Sequence, residues 1–325
     1  MSTFKEIRGF TIKKYTTNPT NPLLGEMWYN NTTGTLKVYT DLGGTFASGG
    51  ALNVGRNAIR AMGTQTSALA VGGDGSPGPS GATEQYNGTA WTTSPAVMSP
   101  TRNSGGMSTA GTVTAAWYAG GSSPGGRHNN TSHFDGSAWT AGGTYPLTVD
   151  LGGAGTETAG LAWGGTLPGT WYTTTNKYDG TSWTATGSLN TGRTQTTGCG
   201  IQTAALSAGG ETPSLTNASE SFNGTSWTAT NNLTQPNAAA AMFGTTSSAQ
   251  LCGGSIAPSP NTTVVQSFDG TSWTANPASL ANAIHTNGAA GATGALGVSF
   301  GGNPFVVRTE EYTDPTFGIR SWDTT

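Results

Sequence analysis

The hydrophobic residues of this chain fall in short runs, such as Ala68-Leu69-Ala70-Val71 and Ala116-Trp117-Tyr118-Ala119, each closed by a pair of glycines. Beyond each pair the chain turns polar, returns to a single Tyr or Phe, and passes through Asn-Gly or Asp-Gly to a Trp-Thr step. Five copies of this last element are Tyr86-Asn87-Gly88-Thr89-Ala90-Trp91, Phe134-Asp135-Gly136-Ser137-Ala138-Trp139, Tyr178-Asp179-Gly180-Thr181-Ser182-Trp183, Phe222-Asn223-Gly224-Thr225-Ser226-Trp227 and Phe268-Asp269-Gly270-Thr271-Ser272-Trp273. A sixth, degenerate copy runs from Tyr312 through Asp314 to Trp322 with a longer turn. The diglycines start at Gly72, Gly120, Gly164, Gly209, Gly253 and Gly301, 44 to 48 residues apart. That period predicts one four-stranded antiparallel sheet per repeat.

The residue types explain the order. Gly after Asn or Asp supplies the positive φ of a tight hairpin, so the Tyr or Phe and the Trp sit on two paired strands. Their rings are placed to fill the gap between neighbouring sheets. A buried Trp removes roughly 150–250 Å² from water, on the order of 4–6 kcal/mol gross. Trp91, Trp139, Trp183, Trp227, Trp273 and Trp322 are therefore the structural set of the repeat. The segments ahead of the apolar runs, such as Thr196-Thr197-Gly198-Cys199-Gly200 and Ala238-Ala239-Ala240-Ala241, are poor in bulk. They suit innermost strands, where sheets converge.

The first 48 residues differ. Glu26-Met27-Trp28-Tyr29, a turn at Asn30-Asn31-Thr32-Thr33-Gly34, and Leu36-Lys37-Val38-Tyr39 predict a hairpin with alternating faces. A lone hairpin is marginal in water, so it either completes a partial seventh sheet or docks on another protein. Residues 1 to 18 carry no repeat signature but combine Lys5, Arg8, Lys13 and Lys14 with Phe10 and Ile12. Partial alternation through Phe10, Ile12 and Tyr15 suits a strand added to the edge of another protein's sheet. The competing reading is a disordered terminus.

Composition agrees with an all-β chain. Gly numbers 51 and charged residues are only 9%, against roughly 25% in an ordinary domain. Gly, Thr, Ser and Asn disfavour helix. Ten Trp, nine Tyr and ten Phe supply the apolar area that a disordered chain lacks. A net charge of −3 recommends neither nucleic acid nor an anionic membrane as partner. No apolar run reaches the roughly 20 residues of a membrane span, so no membrane insertion is expected, and the opening MSTFKEIRGF has no signal-peptide core. Cys199 and Cys252 are expected as buried free thiols, with a bridge or a reactive thiol as the alternative.

The ordered series Arg (Arg56, Arg102, Arg193), diglycine, Tyr or Phe, then Trp resembles the kelch repeat over about residues 49 to 325. That resemblance implies a six-bladed kelch-like β-propeller with repeats at about 49–96, 97–144, 145–188, 189–232, 233–278 and 279–325. Residues 1–48 would then form an N-terminal arm and hairpin. The strands carry less bulk than a typical kelch repeat, the aromatic-to-Trp turn is shorter, and Asn237 replaces Arg in a later copy. The Arg residues are read as braces for the neighbouring blade rather than as ligand contacts. A second, shorter resemblance, Pro19-Thr20-Asn21-Pro22 with Gly25 and Trp28-Tyr29-Asn30, is to the start of several bacteriophage tail and fibre proteins.

Catalytic and metal chemistry is not legible. His128, His133 and His285 lack metal-ligand spacing. The Asp-Gly turns fall one residue short of a sialidase Asp box, and the acidic residues are too scattered for a paired-carboxylate site. Asn87, Asn129 and Asn223 stand in N-x-Thr sequons, which are more simply turn chemistry. The expectation is a non-enzymatic bacteriophage virion structural protein, in a tail, fibre or decoration position, with no cofactor. It would be assembled in the host cytoplasm and would reach other virion proteins through Lys5, Arg8, Phe10, Ile12, Lys13 and Lys14. A host-surface glycan or receptor is a further expected partner. The alternative is an extracellular carbohydrate-binding or adhesin propeller, and an intracellular kelch adaptor comes third.

Overall fold

The computed structural model describes residues 12–20, 25–40, 44–76, 78–257, 259–314 and 318–322. Among them every helix or strand element is a strand, and the chain divides into two compact units, Thr45–Asp314 and the pair Met1–Gly44 with Pro315–Thr325.

The larger unit holds six four-stranded antiparallel sheets among its described residues. Sheet one is Arg60–Thr64, Ser67–Val71, Thr83–Tyr86 and Trp91–Thr93; sheet two is Gly106–Met107, Ala116–Ala119, Thr131–Phe134 and Trp139–Ala141. Sheet three is Gly152–Thr156, Ala159–Trp163, Thr175–Tyr178 and Trp183–Thr186; sheet four is Thr197–Ile201, Ala204–Ala208, Ser219–Phe222 and Trp227–Ala229. Sheet five is Ala241–Thr245, Ser248–Cys252, Val265–Phe268 and Trp273–Ala275. In all five, the aromatic before the Gly turn pairs with the Trp after it, as in Tyr86↔Trp91 and Phe222↔Trp227. Gly180 and Gly224 at those turns both have φ +94°, the left-handed value the turn requires.

Sheet six departs from the sequence reading. Its strands are Gly288–Thr293, Leu296–Phe300, Thr309–Thr313 and, from the other end of the chain, Thr45–Ser48. Phe46 stands opposite Tyr312, the place Trp occupies elsewhere. Trp322 is not the sixth copy of the repeat Trp: its strand, Gly318–Trp322, pairs with Thr35–Thr40, Leu36 facing Trp322. After Tyr312 the sequence Thr313-Asp314-Pro315 lacks the Asn/Asp-Gly step, so no tight hairpin can form. The expected start of the repeats at residue 49 moves back to Thr45, and their end moves from 325 to Asp314.

Neighbouring sheets are joined by two recurring hydrogen bonds. The second glycine of each diglycine donates its N–H to a carbonyl ahead of the next sheet: Gly73 to Arg102, Gly121 to Val149, Gly165 to Arg193, Gly210 to Asn237 and Gly254 to Ile284. Gly302, in sheet six, donates to Arg56 ahead of sheet one at 2.9 Å. A Cβ on Gly209 would lie 2.2 Å from Asn237 O, which is why the approach needs glycine.

The repeat Trp makes the second link, from its indole N–H to a hydroxyl of the preceding sheet. Trp139 reaches Thr83 at 2.8 Å, Trp183 Thr131 at 2.8 Å, Trp227 Thr175 at 2.9 Å and Trp273 Ser219 at 3.1 Å. Trp91 of sheet one reaches Thr309 of sheet six at 2.9 Å. The exception is self-consistent. Sheet six carries Phe46 in place of Trp, and sheet five carries Val265 in place of the hydroxyl residue; both join one apolar cluster. A buried hydroxyl without its donor would be destabilising, and Val removes the problem.

Arg56, Arg102 and Arg193 are fully buried. They brace their own sheets rather than the neighbours: Arg56 donates to Gly72 O at 2.6 Å and Ala82 O at 3.0 Å, and pairs with Glu84 at 2.7 Å. Arg193 pairs with Glu220 at 3.1 Å. Asn237, in the same place, donates to Gly253 O at 2.9 Å. Cys199 and Cys252 are buried free thiols, and burial pushes Cys199 up to about 12.

The exposed Asp turns are local. Asp179 accepts from the backbone N–H of Ser182 and Thr181 and from both their hydroxyls. The Ser182 N–H bond leads in holding its carboxyl well below the usual range; Asp135 and Asp269 are lowered in the same way, led by Ser137 and Ser272 N–H. A depressed folded value gives stability that is present above the unfolded value of about 3.9 and lost as pH falls through the folded one. Asn87 and Asn223 make the same turns without a charge. The triple variant Asp135→Asn, Asp179→Asn, Asp269→Asn is therefore expected to fold at neutral pH. Its thermal midpoint should fall less steeply than wild type between about pH 5 and 2.

The smaller unit is one sheet. Lys13–Tyr15 lies parallel to Met27–Asn30, which forms the expected hairpin with Thr35–Thr40, and Gly318–Trp322 completes it. The hairpin thus builds a sheet with the strands on either side of the repeat unit in the chain. Trp28 is fully buried, and Asn18 Oδ1 accepts from Asn30 Nδ2 at 3.1 Å.

Candidate functional site: the cavity between the first strands

The first strands of the six sheets carry little bulk. Gly152, Gly153, Thr197, Gly198, Ala241, Gly288 and Ala289 leave a cavity of about 560 Å³, to which Arg60 and Met242 also contribute. A Cβ on Gly153 would meet Met107 N at 2.6 Å, so even the small residues are close-fitted. The small-residue inner strand was legible in the sequence. The polar rim was not.

That rim is built by two kinds of residue. Asp74 and Glu211 follow directly on diglycines, and Asn57, Asp150, Thr194 and His285 follow the Arg position, with Asn103 at the equivalent place in sheet two supporting Asp74 from behind. Backbone bridges Asn57↔Asp74, Asn103↔Ser122 and Thr194↔Glu211 join the two sets. Next to them Ala58, Ser104, Gln195, Ala239 and Thr286 all adopt positive φ, from 49° to 55°. Such backbone is rare outside Gly and Asn. Here hydrogen bonds between neighbouring loops hold it: Ala239 N–H to Gln195 O at 3.0 Å and Thr286 N–H to Ala239 O at 2.6 Å. With no Gly or Asn at these positions, the sequence gives no sign of the turn.

The rim side chains are cross-linked. Asn103 Nδ2 donates to Asp74 Oδ1 at 2.7 Å, and Ser122 Oγ to Asn103 Oδ1 at 2.8 Å. Arg127 pairs with Asp150 at 2.9 Å, and Gln195 donates to Glu211 at 3.1 Å. Burial raises the Asp150 carboxyl, against the pull of Arg127 and Arg60. Trp171 adds an aromatic surface. The arrangement offers fixed donors and acceptors of both signs around a narrow floor, suited to holding a polar group by hydrogen bonds. Among the described residues no group of three or more His, Cys, Asp or Glu is placed to hold a metal ion.

The residues picked out by sequence lie elsewhere. Lys5, Arg8 and Phe10 fall outside the described residues. Ile12 is 39% exposed, and Lys13 and Lys14 are exposed on the strand beside the hairpin, Lys13 Nζ 3.7 Å from Glu26. That strand is paired within its own chain. Trp91, Trp227 and Trp273 are buried between sheets, whereas Trp139 and Trp183 are partly exposed. His133 bonds Glu157 at 2.7 Å and Tyr178 at 2.6 Å, a clasp between sheets two and three.

No protein-family model matches the chain, and no curated protein matches it in sequence.

Proposed function

We propose that the Thr45–Asp314 unit is a closed, six-bladed, kelch-like β-propeller, and that the chain is a non-enzymatic bacteriophage virion component using it as an interaction platform. The observation that carries the platform reading is the return of both sheet-to-sheet hydrogen bonds from sheet six to sheet one, through Gly302 to Arg56 and Trp91 to Thr309. A closed ring leaves no unpaired blade and presents its loops as a fixed surface. The virion part rests on the low charge and on the tail-like segment around Pro19–Asn30. Attachment falls to the N-terminal arm, whose Lys5, Arg8 and Phe10 precede the strand Lys13–Tyr15 and supply the docking contacts that this strand alone does not.

Deleting residues 1–11 spares that strand and Asn18, so the thermal midpoint should stay close to wild type. Incorporation into purified particles, read by mass spectrometry, should be lost. Normal incorporation of the truncated protein would remove the docking role.

The rim at the cavity mouth favours a second reading, a glycan-binding propeller. On a glycan array that reading requires binding that Asp74→Ala weakens and the 1–11 deletion leaves unchanged.

A further inference from the structure

In four cases the loop after an outer strand is tied to the following sheet by one polar residue at a fixed register position. Asn53 N–H donates to Glu84 at 2.7 Å, Asn190 N–H to Glu220 at 2.8 Å, Thr234 N–H to Gln266 at 2.8 Å and Ala281 N–H to Glu310 at 2.8 Å. In sheet three Asn176 instead donates to Tyr145 Oη at 3.0 Å. The residue type follows the charge beside it. Glu84 faces Arg56, Glu220 faces Arg193 and Glu310 faces Arg308. Neutral Asn176 and Gln266 stand where Val149 and Asn237 hold the Arg place.

Sheet two breaks the rule. Arg102 is fully buried, yet the register position holds Ser132, paired with Ala141 as Glu84 is with Thr93. Arg102 donates to Asn130 O at 2.7 Å, Gly120 O at 3.2 Å and Ser132 Oγ at 2.7 Å, all neutral acceptors. The Tyr118 ring lies under it, 5.1 Å away, an attraction that supplies no counter-charge. A buried cation without an anion is costly. Asn130 and Ser132, which accept from Arg102, also line a cavity of about 120 Å³ together with Val97, Ser99, Trp139 and Thr144. Water takes about 30 Å³ in the liquid, so the space suits a small anion with a water or two. Ser99 stands in its loop where Asn53 stands in the loop tied to Glu84.

We propose that this cavity between sheets one and two binds a small monocarboxylate, of formate or acetate size. Its oxygens take the Ser99 N–H and the hydroxyl of Ser132, which itself accepts from Arg102 Nη2, and so set a negative charge near Arg102 in the role Glu84 plays for Arg56. The inference does not depend on the virion reading. The ligand serves as the missing side-chain carboxylate of sheet two, and it stabilises the fold by mass action.

The test is a titration of the full chain with ¹³C-formate at constant ionic strength, followed by ligand line width. Wild type should broaden the signal saturably. Ser132→Glu, which supplies the carboxylate covalently, should abolish the broadening and raise the thermal midpoint by several degrees. Arg102→Met should abolish broadening as well, and it serves alone if Ser132→Glu does not fold. Equal broadening in wild type and either folded variant would overturn the site. Loss of broadening on adding chloride at the formate concentration would overturn the carboxylate assignment.

Discussion

Arg56→Ala is expected to destabilise the protein by about 3–5 kcal/mol, measured by urea unfolding, because it strands the Glu84 carboxylate in a fully buried position. The guanidinium also satisfies the carbonyls of Gly72 and Ala82, one of them at the diglycine turn, so its loss leaves those acceptors short of a donor. The double variant Arg56→Met, Glu84→Leu removes both charges and should recover most of the loss, since apolar replacements of buried pairs are often neutral. Arg102→Met should cost clearly less than Arg56→Ala, because no buried carboxylate depends on Arg102. Equal costs for Arg56→Ala and the double variant would mean that the carbonyl contacts, not the ion pair, carry the energy.

The second large effect lies at Trp227, which is 5% exposed, packs edge-on against Trp163 at 5.1 Å and bonds Thr175 in the neighbouring sheet. Trp227→Ala should cost about 3–5 kcal/mol, the range for truncating a buried aromatic. Trp183→Ala should cost less, its ring being partly exposed, although it stacks on Tyr178 at 4.6 Å. A sharper test copies the protein's own exception. Trp227→Phe and Thr175→Val each leave a polar group without its partner, whereas together they reproduce the Phe46–Val265 junction. The double variant should be more stable than the sum of the single losses by about 0.5–3 kcal/mol. Strict additivity would show that the indole–hydroxyl bond adds nothing to the junction.

Much of the larger unit could be read from residue types alone. Gly-Gly and Asn/Asp-Gly need particular backbone, and only a few residues meet that need, so the turns and the strands between them were legible. In five sheets the Trp follows its turn at fixed spacing and so pairs with the aromatic ahead of it. The sixth failed because Trp322 has the right residue type without the turn that would bring it round. Thr45-Phe46-Ala47-Ser48, the strand that takes its place, has no marker beyond one aromatic, and its partner lies at the far end of the chain. Periodicity reports neighbours in sequence, so a pairing between the two ends is invisible to it. The rim of the cavity was hidden for a different reason. Asp74, Asp150 and Glu211 lie on separate repeats, at positions without a shared residue type, and only the packing of the sheets gathers them.

The pairing of Thr45–Ser48 with Thr309–Thr313 also sets an order of events during synthesis. The outer strand of sheet six leaves the ribosome before any of sheets one to five, and its partner leaves after all of them. Throughout that interval its backbone N–H and C=O groups are an open edge, the kind that recruits other chains. Contacts this distant in sequence form slowly, so the last hydrogen bonds made belong to a strand translated ahead of sheets one to five. A truncated product stopping short of residue 309 would carry that edge permanently, and aggregation of nascent chains would begin there.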